Sequence, residues 1–242
     1  MTIFLTSLVK FYKKGIFGIK IPTKLENTNN FFDNLKASLK GSNRLVVVAN
    51  DSEAHLENDK RAKIMKKSFA KSGIKFKETI VLDSRKQDKA KEIISGADLV
   101  ILCGGKCLRE LKFFEKINLA EIFSTFKGVI IGISAGSMNL GKIVANFPED
   151  DMDKDEPRWL EGLGLYNGIL IPHYDGIFYQ FELEFDVVQE YILPMSEWHD
   201  FVAIPNSSYI LINENGEKMF GDAFKISKRI TTKINWFIVD IV

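Results

Sequence analysis

The chain is poor in the features that would anchor it outside a reducing compartment or in a bilayer. Two cysteines, Cys103 and Cys107, occur in 242 residues, too few for a disulfide framework. With no histidine cluster beside them, their spacing also argues against a structural zinc site. Neither sign of charge prevails: 33 basic residues face 32 acidic ones, so no global field argues for nucleic acid or an anionic membrane as partner. No apolar run is long enough to span a bilayer, and the start MTIFLTSLVKFYKKG lacks the basic lead and small-residue cleavage site of a secretion signal. It reads as a first strand and loop, and the expected location is the cytoplasm. Histidines are scarce as well, namely His55, His173 and His199, which leaves few candidate bases.

A hydrophobic content of 45% is enough to bury one full core, and nothing requires a second domain, so residues 1–242 are expected to form a single domain. Strand-like runs at 44–50 (RLVVVAN), 76–82 (FKETIVL) and 98–103 (DLVILC) end near polar or glycine residues. Helix-like segments lie between them at 58–72, with Ala62, Ile64, Met65, Phe69 and Ala70 on one face, and at 87–95. This alternation predicts an α/β fold with a mostly parallel sheet covered on both faces. Farther on, 168–172 (GILIP) reads as another strand and 177–193 as helical. The runs 202–204, 209–213 and 218–221 read as short antiparallel strands near the C-terminus, with a turn at 213–216. The aromatics Phe113, Phe114, Phe178, Tyr179 and Phe181 are expected to pack in the core.

The densest chemistry lies where the apolar run 129–133 (VIIGI) meets Ser134-Ala135-Gly136-Ser137. A strand, a serine between glycines and a helix start form the order of a nucleophile elbow. The bend lifts the hydroxyl clear of the backbone, and the helix start offers N–H groups where an oxyanion would form. An ordinary turn with Ser134 as helix N-cap would use the same residues. In parallel sheets, ligands collect beyond the carboxyl ends of the strands, which puts Ser134 and the loop Cys103-Gly104-Gly105-Lys106 on one edge. That loop is a candidate second oxyanion donor. His173 directly follows GILIP and falls on the same edge, so it is the best-placed base. His55 is second, and His199 reads as part of a surface turn.

Gly104-Gly105, then Gly132-Ile133-Ser134-Ala135-Gly136-Ser137, then Pro172-His173-Tyr174-Asp175 together resemble the S51 serine peptidases, the family of peptidase E (aspartyl dipeptidase) and cyanophycinase, over roughly 44–221. The resemblance implies a flavodoxin-like three-layer sandwich related to the class I glutamine amidotransferases, with serine in place of cysteine. It implies Ser134 as nucleophile, His173 as base, and the N–H groups of Gly105 and Ala135 as the oxyanion hole. It also implies a short-peptide substrate without a cofactor or metal, acted on by a monomer or homodimer. The chain departs from the family pattern at two places. Lys106 stands where many members carry asparagine, and Asn206 stands where an acidic residue is common. An amide can orient a histidine but brings no full charge to its protonated ring, so Asn206, Glu149 and Asp175 all stay open as the third member.

The segment 148–157 (PEDDMDKDEP) packs six acidic residues into ten. Its alternating aspartates fail as a calcium loop, because Glu156 stands where the turn glycine belongs and Gly162 where a bidentate glutamate belongs. It reads as a solvated loop and a candidate lid. Lys106, Arg109 and Arg158 are the cations available for an acidic substrate. Two rivals remain: an α/β-hydrolase esterase, disfavoured because the base would follow Ser134 too soon, and a non-catalytic binding or sensor protein on the same scaffold.

Overall fold

The computed structural model describes residues 1–148, 155–177 and 186–234. Continuous aliphatic runs make strands buried on both faces, and five of them form the parallel part of the main sheet. These are β1 (Thr2–Thr6), β4 (Arg44–Val48), β5 (Glu78–Leu82), β6 (Leu99–Leu102) and β7 (Val129–Ile133). They lie in the order β1-β7-β6-β4-β5. The hairpin β12 (Tyr209–Asn213) and β13 (Gly216–Phe220) extends the sheet beyond β1, with β12 antiparallel to it.

Helices cover both faces. On one side α1 (Phe31–Ser38) and α2 (His55–Lys71) seat Phe31, Leu35, Met65 and Phe69 against Phe4, Val47, Ile101 and Ile131. On the other, α3 (Ala90–Ser95), α4 (Cys107–Lys116) and α5 (Leu119–Thr125) bring Ile94, Phe113, Phe114 and Phe123 onto Leu5, Val46, Val100 and Ile130. The strand–helix alternation therefore produces the expected three layers.

A smaller sheet orders β10 (Ile169–Ile171), β11 (Phe201–Ala203), β14 (Ala223–Ser227) and β15 (Ile230–Ile234), and it carries its own core of Ile171, Ile192, Phe201 and Ile226. The expected short antiparallel strands are present, β11 pairing antiparallel with β14 and β14 with β15, and β11 also runs parallel to β10. The long connection between β10 and β11 is what permits a parallel crossover. Of the expected helix at 177–193, residues 178–185, with Phe178, Tyr179 and Phe181, lie outside the described residues. A π-type turn at Val188–Ile192 continues into a short helix, Leu193–Met195. Three pairings had no clear sequence signal: the hairpin β2 (Tyr12–Lys14) with β3 (Lys20–Pro22), the pair β8 (Ile143–Ala145) with β9 (Trp159–Glu161), and β14 with β15.

The elbow is locked into this frame by close packing. After β7, the short α6 (Ala135–Met138) runs so near β6 that a β-carbon on Gly136 would meet the Leu102 carbonyl oxygen at 2.4 Å. Gly136→Ala must push α6 away from the end of β6. It is expected to cost about 1–3 kcal/mol, read as a fall in Tm of roughly 2–10 °C; an unchanged Tm would contradict this packing.

Candidate active site

Ser134 sits at the carboxyl end of β7 with φ 55° and ψ −120°, a conformation that an L-residue keeps only when its surroundings impose it, at about 1–3 kcal/mol. Those surroundings are specific. Its N–H donates to the Thr6 carbonyl (2.9 Å), and its own carbonyl accepts from Ser137 N–H (2.8 Å) and Met138 N–H (3.1 Å). The buried Ser137 hydroxyl accepts from Thr6 N–H and donates to the Thr6 carbonyl, each at 2.8 Å. The end of β1 and the first turn of α6 thus clamp the bend from two sides.

His173 follows β10 and also has positive φ, 58°. Its backbone N–H donates to the Ser7 hydroxyl (3.0 Å), which donates in turn to the Ile204 carbonyl (2.9 Å). Ser7 is fully buried, so one side chain just past β1 ties the histidine to the end of β11. The imidazole bridges two groups. Nε2 lies 2.9 Å from Ser134 Oγ, and Nδ1 lies 2.5 Å from Asn206 Oδ1. An amide oxygen only accepts, so Nδ1 carries the proton, and the Nε2 lone pair faces the serine hydroxyl. Asp175 stands one step out, accepting the Asn206 backbone N–H at 2.9 Å.

Two cavities meet at Ser134 and His173. The smaller, about 110 Å³, is lined by Gly105 and Ala135 together with Cys107, Met138, Phe147 and Pro172. Gly105 packs closely against Asn50 because it has no side chain. A β-carbon there would meet Asn50 Nδ2 at 2.7 Å. The larger cleft, about 940 Å³, opens between Cys103-Gly104, the β2–β3 hairpin and α2. Burial pushes the Cys103 thiol up to about 11, so at neutral pH it stays protonated and is a poor nucleophile beside Ser134.

The sequence model of peptidase family S51 matches residues 23–219. The chain belongs to peptidase family S51. Solved structures of similar shape include a peptidase from an acI-B1 Actinobacterium, 16% identical, covering 96% of this chain and 93% of that one with a TM-score of 0.65. A peptidase E-like protein from Listeria monocytogenes EGD-e is 15% identical, covering 90% and 96% with a TM-score of 0.53. No curated protein matches the chain. At these identities the structural neighbours speak for the fold, and family membership makes the chain a serine-type peptidase.

In this S51 chain, Ser134, His173, Gly105, Ala135 and Asn206 come together, while the other candidates are elsewhere. His55 Nε2 is 2.9 Å from Ser84 Oγ, and the His199 ring lies 4.4 Å from that of Trp159. Arg109 is paired with Asp51 at 2.9 Å, and the Arg158 guanidinium lies over the Tyr191 ring. Neither Lys106 nor Arg158 lines the two cavities; among the described residues, the cations that do are Lys20, Lys60, Arg61 and Lys63. Glu149 lies outside the described residues, as do the neighbouring residues 150–154 of the acidic segment. Among the described residues, no group of three or more metal-binding side chains occurs, and no helix is long and apolar enough to cross a membrane. The sequence reading placed Ser137 in the elbow motif without its clamping role and did not single out Ser7, whose one signal is its position just past the apolar run of β1.

The neutral amide at Asn206 has a measurable consequence. Asn206→Ala is expected to lower kcat/KM about a hundredfold by freeing the ring's orientation. Asn206→Asp keeps the contact and adds charge, so the acid limb of the pH–rate profile should move to higher pH. An Asn206→Ala variant with wild-type kinetics would contradict an orienting role.

Proposed function

We propose that this S51 peptidase hydrolyses short, dipeptide-like peptides by nucleophilic catalysis, with Ser134 as nucleophile, His173 as base and Asn206 as the group that orients the base. The observation that carries the reading is the 2.9 Å contact between His173 Nε2 and Ser134 Oγ, with the other ring nitrogen held by Asn206. In the first step Oγ bonds to the scissile carbonyl carbon while its proton passes to Nε2. The carbonyl oxygen takes the developing negative charge toward the N–H groups of Gly105 and Ala135. Collapse breaks the C–N bond, and the proton on Nε2 leaves with the amine. Water then attacks the acyl-serine by the same route reversed and releases the acid.

Asn206 makes this relay weaker than one with a carboxylate, since no full negative charge faces the protonated ring. The cytoplasm is the location the reading favours, because both cysteines are free and buried.

Ser134→Ala and His173→Ala, assayed on a library of unmodified dipeptides and tripeptides with product release followed by chromatography, should each lose a thousandfold or more in kcat/KM, as an order of magnitude. Both variants should keep the wild-type circular dichroism. Hydrolysis within about tenfold of wild type in either variant would remove that residue from the mechanism.

A further inference from the structure

The hairpin of β2 and β3 reaches over the larger cleft, and its tip is unlike the rest of the surface. Ile16, Phe17 and Ile19 are 79%, 97% and 63% exposed, although a soluble surface seldom presents three large apolar side chains side by side. Phe17 and Ile19 line the same cleft as Ser134 and His173. Val9, Phe11, Ile64 and Met65 line the same cleft, so the hairpin tip and the catalytic serine share a cleft with several apolar walls. At about 940 Å³, the space lies near the upper end of the roughly 300–1,000 Å³ typical of small-ligand sites. A dipeptide leaves much of it empty.

The charge lining the cleft is predominantly positive, with Lys20, Lys60, Arg61 and Lys63 alongside Glu57, which is paired with Lys60 at 2.7 Å. The first 25 residues carry five lysines, Lys10, Lys13, Lys14, Lys20 and Lys24, and no acidic residue, although the whole chain is close to neutral. Lys20 lies over the Tyr12 ring at 4.9 Å, and Arg61, held by Asn50 Oδ1 at 2.7 Å, points its charge into the same wall. An apolar mouth with a cationic rim accepts an uncharged hydrophobic side chain and repels a lysine or arginine.

We infer that hairpin 12–22 is a substrate clasp, holding a large apolar side chain of a peptide longer than a dipeptide while Ser134 cuts at the other end of the cleft. The inference rests on the peptidase reading above and extends it. The enzyme cuts dipeptides and, more efficiently, longer peptides that carry one apolar residue remote from the scissile bond. Phe17 and Ile19 set that preference without touching the reacting atoms, and their exposure means that replacing them leaves the fold intact.

The test uses the full-length enzyme and unmodified peptides of two, four and six residues that share one cleavable core, with Phe or Lys placed at each added position. Wild type should cleave the best Phe-bearing hexapeptide with kcat/KM about tenfold above the dipeptide core, and Lys at that position should cancel the gain. In the Phe17→Ser/Ile19→Ser double variant, the ratio of hexapeptide to dipeptide kcat/KM should fall about tenfold through KM, with Tm unchanged. A wild type indifferent to length, or a double variant that keeps the full ratio, overturns the clasp while leaving the serine mechanism standing. If no peptide is cleaved, the Phe-bearing hexapeptide is titrated calorimetrically into Ser134→Ala. Binding that weakens tenfold when the two hairpin substitutions are added sustains the clasp though the hydrolytic reading has failed, and no binding overturns both.

Discussion

The backbone bend at Ser134 is the constraint on which the site depends. A positive φ at a residue with a β-carbon persists only where neighbours hold it, and here they are Thr6, at the end of β1, and Ser137, 131 positions from it along the chain. Thr6 and Ser137 exchange two hydrogen bonds around the bend, and Gly136 lets α6 close on the end of β6. Because β1 lies between β7 and β12, the same strand end also presents Ser7, whose hydroxyl fixes the His173 backbone and the Ile204 carbonyl. One strand terminus therefore sets the relative position of serine and histidine, although neither residue lies on it.

That arrangement explains how two sheets can share one site. Ser134 and the Gly104-Gly105 loop sit at the carboxyl ends of strands in the main sheet, as expected for parallel α/β architectures. His173 and Asn206 come from the ends of β10 and β11 in the smaller sheet. Ser7 joins the two, so the distance from Nε2 to Oγ is governed by buried hydrogen bonds and not by a flexible loop. The neutral Asn206 then does one part of what a carboxylate does, fixing the tautomer and the ring plane, and leaves the protonated ring without a full counter-charge.

Much of this was legible from residue order, for definite reasons. Ser134, Gly105 and His173 each stand where an apolar run stops, and parallel topology puts such endpoints on one edge; the core phenylalanines Phe113 and Phe114 were equally clear. Asn206 was legible only as one of three candidates, because the choice among it, Asp175 and Glu149 depends on where β11 ends relative to β10. The parallel pairing of those strands had no local signature. The structural roles of Ser7 and of Ser137, itself part of the elbow motif, had no sequence signal for a related reason, since their partners are remote in sequence. Lys106 and Arg158, the cations that stand near the motifs in sequence, do not line the two cavities, whereas Arg61 and Lys63 line the larger cleft from α2, a placement that no motif in the sequence signals.

The central claim is that Ser134 is a nucleophile activated by His173, and covalent labelling tests it most directly. Folded wild-type protein is treated with a fluorophosphonate and the adduct located by peptide mass spectrometry, in parallel with His173→Ala. The account predicts a single adduct on Ser134 that forms at least about a hundredfold more slowly in the variant. No adduct on Ser134, or one that forms equally fast without His173, would contradict it.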